Sequence, residues 1–312
     1  MIKINNQTTH NVFLVSLTIY LLIVLTWYFK PPWLIDHLIY LHVATPNNLE
    51  DLNFWNLHRF SLPEGHYNER WAVLVPIMLF NKIFFFFKPA TTSLILIVLI
   101  HLLIFYLCFL FLKIKENNLV TILFCIFFVL AVHHTKNRTT EILADSFAIF
   151  YICLINYFVF CSKKFKKNFN FNIGLLILLP ALCKIHYGIF SLFFGIIFRE
   201  DLKKDLKNFL LGIIASLVFL LLLIFICTDF EITKQIILNS IKVTLGYFDG
   251  GLKVSKGPSG EGWFNEWLKI LIDEMTLAPI YLITSFIILK NSFIKKNYFP
   301  FFTFLFLITI LF

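Results

Sequence analysis

Apolar residues run in nine stretches along the 312-residue chain, at 12–29, 71–87, 91–112, 119–132, 142–161, 173–198, 210–227, 276–289 and 298–312. Stretches such as 210–227 approach the roughly 20 apolar residues that a helix needs to cross a bilayer. Polar residues between them are unevenly placed. Lysines crowd the short connections, whereas acids gather in two long loops, one near each end, and at two helix mouths between them. This pattern predicts an all-α polytopic membrane bundle, built as a single domain over residues 1–312.

Taking every stretch as one crossing sets the connection Lys163-Lys164-Phe165-Lys166-Lys167 on the same side as the first long loop, against the positive-inside rule. Two adjustments remove the conflict. Stretch 71–87 is short and interrupted by Pro76, Asn81 and Lys82, and is better read as an interfacial or re-entrant helix. Stretch 173–198 carries Lys184-Ile185-His186-Tyr187 at its middle, where a charge at the bilayer centre would cost about 3 kcal/mol or more. Two short helices meeting at an outer-surface corner avoid that cost. The result is about nine spans with a cytoplasmic N-terminus and two long outer loops, about 30–91 and 228–275, carrying interfacial helices. The cytoplasmic segments then hold 14 Lys/Arg against 4 Asp/Glu, and the outer side 13 against 14 over a much greater length.

Composition agrees: 59% of residues are hydrophobic and 14% charged, against about 25% charged in a soluble domain. The net charge of +9 lies largely in the cytoplasmic connections, and no basic motif with interleaved surface aromatics supports nucleic-acid binding. The six cysteines lie within or at the ends of apolar stretches without CxxC spacing, so small buried hydrophobes are expected rather than disulfides or a metal site. Stretch 12–29 is long for a signal segment and is expected to be the first membrane helix.

Candidate chemistry collects at the helix mouths. Asp36, just beyond the first span, is placed to take a proton from a hydroxyl substrate, with Tyr40 one turn further on. Glu141 and Asp145 are four apart and share a helix face where the dipole favours negative charge. Arg138 precedes them, with His133 and His134, but no HExxH-type spacing points to a metal. Lys184 and His186, between two half-helices, and Arg70, opening the 71–87 stretch, are candidate phosphate ligands. Each also has an ordinary reading: a solvated loop acid for Asp36, helix capping for Glu141 and Asp145, and a snorkelling side chain for Lys184.

Taken together, these segments resemble the GT-C superfamily of membrane glycosyltransferases, the group that includes the protein O-mannosyltransferase-like and aminoarabinose-transferase-like enzymes. The motifs are Asp36-His37 through Tyr40 and Ala44, Arg70 with Pro76, Arg138 through Glu141 to Ser146, Gly174 through Cys183-Lys184, and Gly257-Pro258 with Trp263 and Trp267. They occur in the family's order over most of the chain. Two positions differ from its pattern: His37 stands where a second acid is usual, and Cys183 where Thr is. The chain ends inside an apolar stretch at Phe312, which the resemblance implies is a short or truncated member.

The resemblance implies sugar transfer, with inversion, from a polyprenyl-phosphate donor to a glycan, lipid or protein acceptor at the outer face of the cytoplasmic (inner) membrane. Asp36 would be the general base. Lys184, with Arg138 or Arg70, would stabilise the leaving phosphate. Asp145 and Glu141 would orient the acceptor or hold the cations. No cofactor, metal or nucleotide donor is expected, since no P-loop or Rossmann fingerprint is present. Two other readings compete: a transporter or flippase of a lipid or anionic solute, and a non-catalytic subunit of a glycan-assembly complex.

Overall fold

The computed structural model describes residues 5–27, 70–115, 118–134, 144–161, 169–184, 187 and 206–248. Among these residues the ordered backbone is α-helical, with no strand. The helices are α1 (Asn6–Trp27), α2 (Trp71–Ile83), α3 (Pro89–Lys115), α4 (Asn118–His134), α5 (Ala144–Cys161), α6 (Phe169–Ala181), α7 (Leu206–Cys227) and α8 (Phe230–Phe248). Three segments are long and apolar enough to cross a membrane: Asn6–Leu25, Thr91–Lys113 and Leu206–Cys227. The chain is thus a helical membrane protein.

The spanning helices show why. In α7 the buried positions are Phe209, Gly212, Ser216, Leu220 and Ile224, spaced three or four apart along one stripe. The opposite side carries Ile214, Val218, Phe219, Leu222, Phe225 and Ile226, all apolar and all exposed. Helix α1 repeats the pattern, with Thr9, Phe13, Ser16, Tyr20 and Val24 buried and Leu14, Val15, Leu22 and Leu25 exposed. In water such outward faces would be unfavourable, but against lipid tails they cost nothing. An apolar residue is therefore found on either side, and the sequence pattern alone does not tell which side packs on protein.

The described helices divide between two compact units. One contains α1, α4 and the part of α3 after His101. Its core is aromatic: Phe13 lies 4.9 Å from Phe105 and 4.2 Å from Phe109 between ring centroids, and Phe105 stacks on Phe128 at 4.4 Å. The other contains α2, the start of α3, and α5 to α8. There α6 and α7 touch backbone to backbone. A Cβ on Gly174 would lie 2.2 Å from the Phe209 carbonyl oxygen, and one on Gly212 would lie 2.2 Å from that of Phe171. Only glycine permits this approach, a familiar device in membranes, where close van der Waals packing replaces the hydrophobic effect. Ile155, Ile173, Ile177 and Phe209 form the core around the crossing.

Two prolines lie inside helices. Pro76 has no N–H to give the Ala72 carbonyl, and the Tyr151 hydroxyl of α5 donates to that oxygen instead, at 2.8 Å. The helix therefore runs through Pro76, although the sequence reading took this residue as an interruption. Ala72, Val73, Leu74, Val75, Ile77 and Met78 are buried all round the first two turns, so α2 is inserted among other helices over that length. The indole N–H of Trp71 donates to the Ser240 hydroxyl of α8 at 3.0 Å, and the Lys82 ammonium to the Ile226 carbonyl. Pro180 lies in the last turn of α6. Its carbonyl then accepts the N–H groups of Cys183 and Lys184, turning the chain out of the helix. Helix α6 thus ends within the 173–198 stretch, three residues before Lys184, and starts four residues earlier than the stretch; beyond Lys184 the rest of the stretch, Tyr187 apart, lies outside the described residues. Helix α8 supplies structure in the second predicted loop. Asp229 caps it, its carboxylate accepting the Ile232 N–H at 2.8 Å, and Thr233, Ile236 and Ser240 form its buried stripe.

Candidate functional site

The start of α5, the turn after α6 and the start of α2 meet within the second unit. Asp145 lies in the first turn of α5, where unpaired backbone N–H groups and the helix dipole favour a carboxylate. Both of its oxygens accept from the Lys184 ammonium, each at 2.8 Å. The Tyr187 hydroxyl donates to Oδ1 at 2.5 Å. This ion pair is partly open, the Lys184 and Asp145 side chains being 25% and 28% exposed. Residues 39 and 42 apart in sequence are joined, and α5 and α6 consequently run antiparallel.

Around the pair the charges are balanced unevenly. The positive charges of Arg70 and Lys184 and the negative charge of Asp145 all act on the buried Cys183 thiol. Lys184 and the Tyr187 hydroxyl converge on the Asp145 carboxylate, and the Arg70 charge acts on Cys183, the neighbour of Lys184. An anionic ligand entering here would find Lys184 able to offer a third N–H.

A second polar contact adjoins the first. Ser146, the residue after Asp145, has its hydroxyl 3.2 Å from His101 Nε2 on α3. His101 is the lone Asp, Glu, Lys, Arg or His inside the Thr91–Leu112 run, and that isolation was a sequence signal the motif reading passed over. Tyr151 gave less warning, since its role depends on a carbonyl freed by a proline on another helix.

Of the residues singled out from sequence, the structure brings Asp145 and Lys184 into contact and sets the Arg70 charge beside them. Asp36, Tyr40, Arg138, Glu141 and His186 lie outside the described residues, as does the Gly257-Pro258 motif of the second long loop. No protein-family model matches the chain, and neither a curated protein nor a solved structure does.

Proposed function

We propose that the protein is a membrane glycosyltransferase that moves a sugar from a polyprenyl-phosphate donor to a hydroxyl acceptor at the outer face of the cytoplasmic membrane. The observation that carries this reading is the Lys184–Asp145–Tyr187 cluster with the Arg70 charge beside it. Such a cluster suits a phosphate that gains negative charge as the glycosidic bond breaks. The ordered series of motifs from Asp36 to Trp267 supports it further. In this scheme about nine crossings leave the N-terminus cytoplasmic.

Asp36 takes the proton of the acceptor hydroxyl, whose oxygen attacks the anomeric carbon from the face opposite the leaving group. The bond from that carbon to the phosphate oxygen breaks, and its electron pair leaves with polyprenyl phosphate. Lys184, with Arg70 or Arg138, holds the departing charge. Asp145 keeps Lys184 in position, Glu141 orients the acceptor, and His186 and Tyr40 contribute to substrate binding. Purified wild-type and Asp36→Asn protein in lipid, supplied with a panel of polyprenyl-phosphate sugars, test the scheme by release of polyprenyl phosphate. Release by wild type alone is expected. Equal release by both removes Asp36 from the mechanism, and no release from any donor sinks the transferase reading.

One observation favours a transporter as the second reading: His101 meets Ser146 well inside an apolar span, and intramembrane ionisable residues commonly mark solute or proton paths. Vesicles accumulating an anion without bond cleavage would select it.

A further inference from the structure

The polar groups around Asp145 continue beyond the ion pair. Ser146 follows Asp145 on α5 and meets His101 on α3. His101 stands ten residues after Thr91, where the Thr91–Lys113 span begins. At about 1.5 Å of rise per residue it is about 15 Å into the span. The hydrocarbon core of a bilayer is about 30 Å thick, so this is close to its middle. Asp145 is one residue from Ser146, and its carboxylate is bound to Lys184 and Tyr187. On that estimate the whole group lies at similar depth.

Depth changes what the exposure of the pair means. Lys184 and Asp145 keep 25% and 28% of their side-chain surface open. Toward hydrocarbon, each open charge would cost about 3 kcal/mol or more. Polar groups at this depth persist where protein covers them or water reaches them. We infer that Asp145, Lys184, Tyr187, Ser146 and His101 form one polar site near mid-bilayer, reached from one membrane face by a water-filled vestibule. The vestibule follows from the α3 span and the open ion pair. Its ligand, a phosphate anion, rests on the reading given under Proposed function. That phosphate descends to Lys184 either free or on a hydrocarbon chain that stays among the helices.

The full chain, reconstituted in phosphatidylcholine vesicles, permits three measurements. In the first, Asp145→Cys and Lys184→Cys are treated with a charged, membrane-impermeant methanethiosulfonate, and the modified peptides are identified by mass. Both introduced thiols are expected to react about tenfold or more faster than native Cys183, whose 0% exposure leaves it only local opening. If neither reacts with the charged reagent while both react with neutral N-ethylmaleimide, there is no water path and the inference is wrong.

The second needs no variant and so stands even where a substitution prevents folding. Phosphatidylcholine with a photoreactive group at the chain end is expected to cross-link wild-type α3 at Leu99 and Leu103, which flank His101 and are exposed. Cross-linking there by a probe next to the headgroup instead would put the site at the surface and overturn the inference. The third tests the ligand: dodecyl phosphate and inorganic phosphate are added to Asp145→Cys, which retains Lys184 and Arg70. Slower modification with the alkyl phosphate alone identifies a chain-borne anion, and slowing by both a free one. Slowing by neither defeats the phosphate reading while the vestibule, already measured by labelling, stands.

Discussion

Substituting Gly212 by alanine places a methyl group where α6 leaves no room. The added Cβ would lie 2.2 Å from the Phe171 carbonyl oxygen, 2.9 Å from Gly174 Cα and 3.0 Å from Leu175 N. All three are backbone atoms, so no side-chain rotation relieves them. The helices must part by about 0.8 Å merely to restore 3.0 Å to the closest contact. A gap of 0.5–1 Å forfeits about a quarter to a half of each dispersion contact across it, and here the seam holds Ile173, Ile177 and Phe209. Overpacking of this kind costs about 1–3 kcal/mol, while the better helix propensity of alanine returns at most about 1 kcal/mol. A net loss of about 1–2 kcal/mol is expected, read as a lower midpoint in thermal or SDS unfolding of the purified protein followed by circular dichroism. Gly174→Ala should behave alike, since its Cβ meets the Phe209 carbonyl at the same distance. The double substitution should cost clearly less than the two single losses combined, because one separation of the helices accommodates both methyl groups. Wild-type stability in either single variant, or full additivity in the double, would refute the backbone contact.

The Asp145–Lys184 pair should behave as a coupled unit: either truncation alone breaks a partly buried ion pair and costs about 2–3 kcal/mol in the same unfolding assay, whereas Asp145→Ala with Lys184→Ala costs less than the sum. Tyr151→Phe removes the donor to the Ala72 carbonyl and should lower stability by about 1 kcal/mol, with faster amide exchange in the first turns of α2 as its local signature. Tags at residues 165 and 255 are expected on the cytoplasmic and outer sides respectively in a protease-protection assay, and both on one side would break the proposed topology.

How far the sequence could be read differed between elements for physical reasons. Spans such as Leu206–Cys227 and Thr91–Lys113 were evident because apolar length is a local property. Their boundaries moved by a few residues, with α3 extending to Pro89 and Lys115 and α6 beginning at Phe169, since capping and neighbouring contacts decide the last turns. The interruption expected at Pro76 is absent because Tyr151 takes over the hydrogen bond that proline cannot make. At the site, Asp145 and Lys184 were each legible as charges at the edge of apolar runs, but neither indicated the other across 39 residues. His101 was visible as an isolated ionisable group, yet its contact with Ser146 was not.

The sequence by itself determined the class of this protein: a helical membrane protein whose charges cluster where hydrophobic runs break. Transfer of apolar length into lipid is large, local and additive, and needs no knowledge of neighbours. Only the tertiary structure decided which face of each helix meets protein, because lipid and core accept the same apolar side chains. It also decided that Gly174 and Gly212 face each other, that Tyr151 satisfies a carbonyl on α2, and that Asp145 binds Lys184 and Tyr187. These are pairings between distant residues, governed by distances of a few ångströms that no single stretch of chain encodes.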